Sequence, residues 1–96
     1  MDLTQARDRI EKIDREMAKL FVERMMCSAH IARYKKENNL PVLDAVREKQ
    51  LLDKNSSYIE DEEMKDHYRD FLRAVMDISK DYQRRITGTG EEEHDN

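Results

Sequence analysis

The sequence is poor in residues that interrupt or cross-link a chain. Its 96 residues include one cysteine, one proline and two glycines, and no tryptophan. A single cysteine excludes an internal disulfide bond and a CxxC metal site, and Cys27 is expected to pack as a small buried hydrophobic residue. The scarcity of glycine and proline, together with 42% charged residues, favours helices with solvated outer faces. We therefore predict an all-α domain.

Long apolar runs and an excess of positive charge are also missing. No stretch approaches the ~18 apolar residues of a membrane-spanning helix, and no basic segment leads into an apolar run at the N-terminus. The net charge of −4 argues against general attraction to nucleic acid. Gly-rich phosphate loops, zinc-ligand spacings and nucleophile elbows are absent as well. We expect a cytoplasmic protein with no cofactor, no nucleic-acid partner and no membrane partner.

Apolar periodicity predicts three helices, at about residues 4–38, 44–55 and 61–86. The side chain of Asp2 or Thr4 can cap the first helix. These helices place the domain at residues 1–87. Residues 88–96 are rich in acidic side chains and lack an apolar anchor, so we expect a disordered tail there.

The first predicted helix is too long for a compact domain of this size. About 35 residues at ~1.5 Å each span roughly 50 Å. A globule of this length has a diameter of only about 32 Å. Two shorter helices of the same chain cannot cover an apolar stripe of that length, so we expect a second copy of the chain to cover the remainder in a two-fold homodimer.

Polar side chains interrupt the apolar faces of the first and third predicted helices. Arg24 and Lys35 each fall three or four residues after an apolar residue of the stripe, and the eleven residues between them return to nearly the same direction. Arg7 lies about 100° away from Arg24 around the helix. Ser79 and Gln83 lie four residues apart on the inward face of the third helix. A small anion held between the helices is therefore a specific hypothesis, with Arg7 contributed by the partner subunit.

In this order and spacing, the polar residues resemble those of the all-helical class of chorismate mutases over residues 3–86. The resemblance rests on eleven positions and one segment: Arg7, Ile10, Ile13, Asp14, Glu23, Arg24, Lys35, the segment 41–44, Arg47, Glu48, Ser79 and Gln83. It implies an intertwined helical homodimer of three-helix chains with two equivalent, shared active sites. It also implies the rearrangement of chorismate to prephenate, on the route to phenylalanine and tyrosine. The 96 residues are too few to include the dehydratase, dehydrogenase or regulatory domains that are fused to some members, so we expect a free-standing enzyme.

The resemblance also implies a role for each site residue. Arg24 and the partner subunit's Arg7 would bind the two carboxylates of chorismate, assisted by Ser79 and Arg47. Lys35 and Gln83 would donate to the ether oxygen of the breaking bond. Glu48, with Asp44 near it, would hold the ring hydroxyl. The sequence departs from the family pattern at Ala6, in the run 27–30 and at Ile78, which are packing positions or neighbours of the site.

Two other functions are compatible with the same pattern. The first is a non-catalytic helical dimerisation module, in which protein carboxylates neutralise the inward cations. The second is an isochorismate pyruvate lyase, which breaks the same ether bond and eliminates pyruvate.

Overall fold

The computed structural model describes residues 1–88, and over that range the chain forms three α-helices and no strand. Helix α1 spans Leu3–Glu37, α2 spans Ala45–Ser56 and α3 spans Glu62–Thr87. The all-α prediction is confirmed, and each helix end lies one residue from its predicted position. Except for Gly88, the predicted disordered tail lies outside the described residues.

Aspartate side chains begin all three of these helices. Asp2 accepts a hydrogen bond from the backbone N–H of Gln5 at 2.8 Å, and the Gln5 side chain accepts one in return from the N–H of Asp2 at 3.0 Å. Asp44 and Asp61 each accept from the N–H three residues further on. Each cap satisfies a backbone donor that the helix leaves unpaired. Gly88 caps the C-terminal end of α3, and its φ of 74° is left-handed and suits glycine.

Helix α3 packs against both α1 and α2 and is the element that connects them in the fold. It runs parallel to α1, because Ser79 contacts Ser28 and, further along both helices, Thr87 contacts Lys36 at their C-terminal ends. It runs antiparallel to α2, as Leu52 packs with Leu72 and Met76, whereas the earlier α2 residue Glu48 pairs with the later α3 residue Lys80. Helices α1 and α2 thus face each other beside α3.

The chain is elongated, with principal extents of 52, 26 and 24 Å and a radius of gyration of 16.5 Å. A compact domain of this length would have a radius of gyration of about 12 to 13 Å. The elongation comes from α1, whose buried residues are Ser28, Ala29 and Ala32, all in its C-terminal half. Residues 1–23 of the chain are exposed except for Ala6, which is half-buried.

Cys27 is exposed, so the expectation that it is buried was wrong: it follows Arg24 by three residues and faces an open cleft rather than the packed side of α1. Among the helices of residues 1–88, none is both long and apolar enough to cross a membrane.

Candidate active site

A cleft of about 500 Å³ lies between α1 and α2, with one wall formed by α3. Its volume falls within the roughly 300–1,000 Å³ of small-molecule sites. Seven of the eight predicted site residues line it: Arg24, Lys35, Asp44, Arg47, Glu48, Ser79 and Gln83. The structure therefore brings together residues that are up to 59 positions apart in the chain.

Helical spacing on α1 places the cations on the cleft. Arg24, Ser28, Ile31 and Lys35 all line it, at intervals of three and four residues that keep them on one face. Arg24 Nη1 donates to Ser79 Oγ at 2.8 Å. Lys35 Nζ donates to the carbonyl oxygen of Val42, also at 2.8 Å, in the segment that connects α1 to α2. Both cations thus have neutral partners within the chain.

The cleft is positively charged although the chain is acidic. Four basic side chains line it, Arg24, Lys35, Arg47 and Lys80, against the two carboxylates of Asp44 and Glu48, which leaves an excess of two positive charges. Among residues 1–88, no carboxylate lies within 4.0 Å of Arg24, Lys35 or Arg47. This arrangement suits a small dianion, because cations facing a partly enclosed site raise the local concentration of anions.

The neutral polar residues of the site form one buried network. Ser79 Oγ, which accepts from Arg24, lies 3.1 Å from Ser28 Oγ, and Gln83 Nε2 donates to Ser28 Oγ at 2.7 Å. The Ser79 hydroxyl also lies 3.8 Å from Met25 Sδ, within reach of a weak hydrogen bond. These bonds fix α3 against α1 along the floor of the cleft.

Ser28 was not among the predicted site residues. The run 27–30 was treated as a departure from the family pattern, although Ser28 follows Arg24 by four residues and precedes Lys35 by seven. The spacing that selected the two cations therefore selects Ser28 as well. Applying one criterion to the whole face of the helix would have found it.

Lys80 was missed for a related reason. It lies eight residues after Leu72 and four after Met76, so it continues the buried stripe of α3 with a cation. Its Nζ is 2.9 Å from Glu48 Oε2 and 3.3 Å from Asp77 Oδ1. The hydrogen bond to Glu48 is the main cause that raises the pKa of Lys80, so the ammonium stays charged at neutral pH.

The two remaining predicted site residues, Asp44 and Arg47, lie at the N-terminus of α2. Asp44 Oδ1 accepts a hydrogen bond from the backbone N–H of Arg47 at 3.0 Å, so this carboxylate caps the helix as well as lining the cleft. The Arg47 side chain is exposed and extends the positive charge to the edge of the cleft. Within residues 1–88, no group of three histidine, cysteine or acidic side chains is placed to hold a metal ion.

Arg7 is the predicted site residue that the single chain does not bring to the cleft. It is exposed near the start of α1. Between it and the cleft, the N-terminal half of α1 and the middle of α3 form a second, mainly apolar groove of about 620 Å³, lined by residues that include Met17, Leu20, Phe21 and Phe71. Arg24 lines both the groove and the cleft. The two depressions are therefore neighbours.

Comparison with known proteins identifies the family. The family model described as chorismate mutase type II matches residues 6–84, which include the whole of α2 and all but the first three residues of α1 and the last three of α3. Searches of curated proteins and of solved structures each gave no significant match. The chain belongs to the chorismate mutase type II family, whose activity is the isomerisation of chorismate to prephenate.

Proposed function

We propose that this chain rearranges chorismate to prephenate in the cleft between α1 and α2, as a homodimer with two shared sites. The observation that carries the proposal is the set of three cations, Arg24, Lys35 and Arg47, that face one cleft without a carboxylate partner within residues 1–88. Chorismate is a dicarboxylate, and its two negative charges match the excess of two positive charges in the cleft. An anionic substrate would supply the missing counter-charge.

The carboxylates are bound by arginines in this proposal. Arg24 holds one carboxylate, supported by Ser79, whose hydroxyl is 2.8 Å from its Nη1. Arg7 of the partner subunit holds the other, and Arg47 assists at the edge of the cleft. The planar guanidinium group donates two parallel hydrogen bonds, which fixes both the position and the orientation of a carboxylate.

The reaction breaks the ether C–O bond and forms a C–C bond between the enolpyruvyl carbon and the ring, as three electron pairs move around a six-membered cycle. No proton is transferred and no covalent bond to the protein is needed. Negative charge builds on the ether oxygen as its bond lengthens. Lys35 and Gln83 donate to this oxygen, and their hydrogen bonds strengthen in the transition state.

The acidic residues of the cleft select the reactive conformer. Glu48, held by Lys80 at 2.9 Å, accepts from the ring hydroxyl, and Asp44 lies one helical turn before it. A ring fixed at its hydroxyl and at both carboxylates keeps the enolpyruvyl carbon over the ring. This removes much of the entropy cost of reaching the compact geometry.

The homodimer is supported by surface that the single chain leaves uncovered. The apolar residues Ile10, Ile13, Met17, Leu20 and Phe21 of α1 are each more than 40% exposed. A continuous apolar stripe of this kind marks an association surface. A second α1 packed on it would close the groove beside Arg24 and bring Arg7 of the partner subunit toward the cleft.

Purified protein incubated with chorismate tests the proposal. We expect loss of chorismate absorbance and formation of prephenate at neutral pH, without an acid optimum, because the amide of Gln83 donates at any ordinary pH. No turnover of chorismate would favour a dimerisation module. Efficient release of pyruvate from isochorismate, with negligible chorismate turnover, would favour a lyase. Two points stay predictions: that this reaction serves phenylalanine and tyrosine synthesis, and that the protein is cytoplasmic.

A further inference from the structure

Gln83 carries an unsatisfied polar atom at the centre of the proposed site. Its side chain is 8% exposed, and its Oε1 is buried with no hydrogen-bond partner among residues 1–88. Its Nε2 donates to Ser28 Oγ at 2.7 Å. Burying an amide oxygen without a donor is unfavourable, and such atoms in folded proteins are rare enough to need a cause.

A half turn of the Gln83 amide about its terminal torsion gives Oε1 a partner and leaves the two Nε2 protons to be satisfied by a bound acceptor. The Ser28 hydroxyl then donates to Gln83 Oε1, and the two Nε2 protons move to the position of the unpartnered oxygen. Ser28 can serve both orientations because a hydroxyl is a donor as well as an acceptor. An alanine at this position could serve neither.

The rest of the network accommodates this reversal and gives up only the weak contact from the Ser79 hydroxyl to Met25 Sδ. The 3.1 Å contact between Ser28 and Ser79 allows either hydroxyl to donate. When Ser28 donates to Gln83, Ser79 donates to Ser28, and Arg24 donates to Ser79. Each donor in this chain strengthens the next, since a hydroxyl that accepts a hydrogen bond from a cation is a better donor.

We propose that Ser28 is a positioning residue that orients the Gln83 amide for catalysis. By donating to Oε1 it releases both amide protons from the pair of serines, so that Gln83, which lines the cleft, donates to the ether oxygen of the substrate. This inference rests on the proposed function. Ser28 acts through Gln83, and its loss affects turnover more than substrate binding.

Ser28→Ala is the first test, with Ser56→Ala as its matched control. Both serines are buried, at 5% and 3% exposure, and both make side-chain hydrogen bonds, but Ser56 contacts Arg69 outside the cleft. We expect Ser28→Ala to lower kcat about three- to tenfold, the effect of one hydrogen bond, with KM changed less than twofold. Ser56→Ala should keep the kcat of the unchanged chain.

Thermal unfolding of both variants separates positioning from folding. A comparable loss of stability in the two variants, with kcat lowered only by Ser28→Ala, supports the inference. A kcat within twofold of the unchanged chain for Ser28→Ala would overturn it. The proposed function would survive that result, because it requires only that the unchanged chain convert chorismate. Failure of the unchanged chain to convert chorismate would contradict both.

A pH profile gives a second test that a purely structural role would not move. In Gln83→Glu only the protonated carboxyl group can donate to the ether oxygen, so activity falls as pH rises through its apparent pKa. Donation from Ser28 favours the ionised form and lowers this pKa. Adding Ser28→Ala to the Gln83→Glu variant should therefore raise the pH at which activity falls by roughly 0.5 to 1 unit. No shift, or a shift to lower pH, would overturn the inference.

Discussion

The two halves of α1 have the same apolar period but different surroundings. From Arg24 to Lys35, the helix packs on α3, buries Ser28 and two alanines, and turns its cations into a cleft. From Leu3 to Glu23, α3 only flanks the apolar stripe along an open groove, and Leu20 is 59% exposed. In the C-terminal half, small side chains allow α3 to pack closely on α1. In the N-terminal half, the large exposed side chains need a further surface to cover them.

This difference shows how to distinguish a binding site from an interface on one helix. Where polar residues replace apolar ones on the inward face, the neighbouring helix supplies hydrogen-bond partners and leaves a cleft. Where the stripe is mainly apolar and largely uncovered within the chain, it favours association with a second chain. We therefore expect substitutions in the two halves of α1 to have different effects.

The largest single effect is expected in the C-terminal half, from Lys35→Ala. Removing a donor to the ether oxygen should lower kcat by about 10²- to 10³-fold and change KM much less, because the bond strengthens as charge develops. Lys36→Ala is the control, since the neighbouring Lys36 donates to the Thr87 carbonyl and not into the cleft. Steady-state kinetics with chorismate measure both. Equal losses in the two variants would argue against a catalytic role for Lys35.

A smaller and concentration-dependent effect is expected in the N-terminal half, from Leu20→Glu. A carboxylate on the apolar stripe should weaken association, so that activity per chain falls on dilution while kcat at high protein concentration is less affected. Arg15→Glu introduces the same group about 140° around the helix and should leave the subunit number unchanged. Sedimentation and activity over a dilution series measure both. An unchanged subunit number for Leu20→Glu would exclude this stripe as the interface.

The smallest effect concerns the ion pair between Lys80 and Glu48, which joins α2 to α3 at the cleft. Because its folded pKa is raised above the ordinary value of 10.5, Lys80 contributes stability that is fully present below that pH and lost as pH rises through the folded pKa. Lys80→Gln should lower the unfolding free energy by about 0.5 to 1 kcal/mol at pH 8, and this difference should narrow above pH 10.5.

Urea unfolding at fixed protein concentration measures this difference. Lys49→Gln is the control, because Lys49 makes a more exposed ion pair with Asp53 on the surface of α2. Its substitution should therefore lower the unfolding free energy less than Lys80→Gln does. The assigned ion pair would be contradicted if the difference in unfolding free energy between Lys80→Gln and the unchanged chain stayed constant from pH 8 to pH 11.

Much of the fold could be predicted from local signals. Asp2, Asp44 and Asp61 are strong helix starters, and Gly88 is a strong stop, so the helix ends followed from single residues. The eleven-residue interval between Arg24 and Lys35 likewise indicated that they share a face. These features depend only on helix geometry, which the sequence specifies directly.

The remaining features depend on which helices meet. The pairing of Lys80 with Glu48 and the link from Ser28 to Ser79 require the register of α3 against its neighbours, which no local pattern specifies. The exposure of Cys27 has the same origin, because a residue at the edge of a packed face is covered only if a neighbouring helix reaches it. Side-chain partners across helices were therefore the least predictable part.

Mixing two inactive variants tests the central claim most directly, namely that the cleft of one chain is completed by Arg7 of the partner subunit. Arg7→Ala and Arg24→Ala should each abolish most activity. After unfolding and refolding together, half of the dimers should be mixed, each with one intact site, so that about a quarter of the activity of the unchanged protein returns. Mixed dimers that form and regain no activity would contradict the shared site.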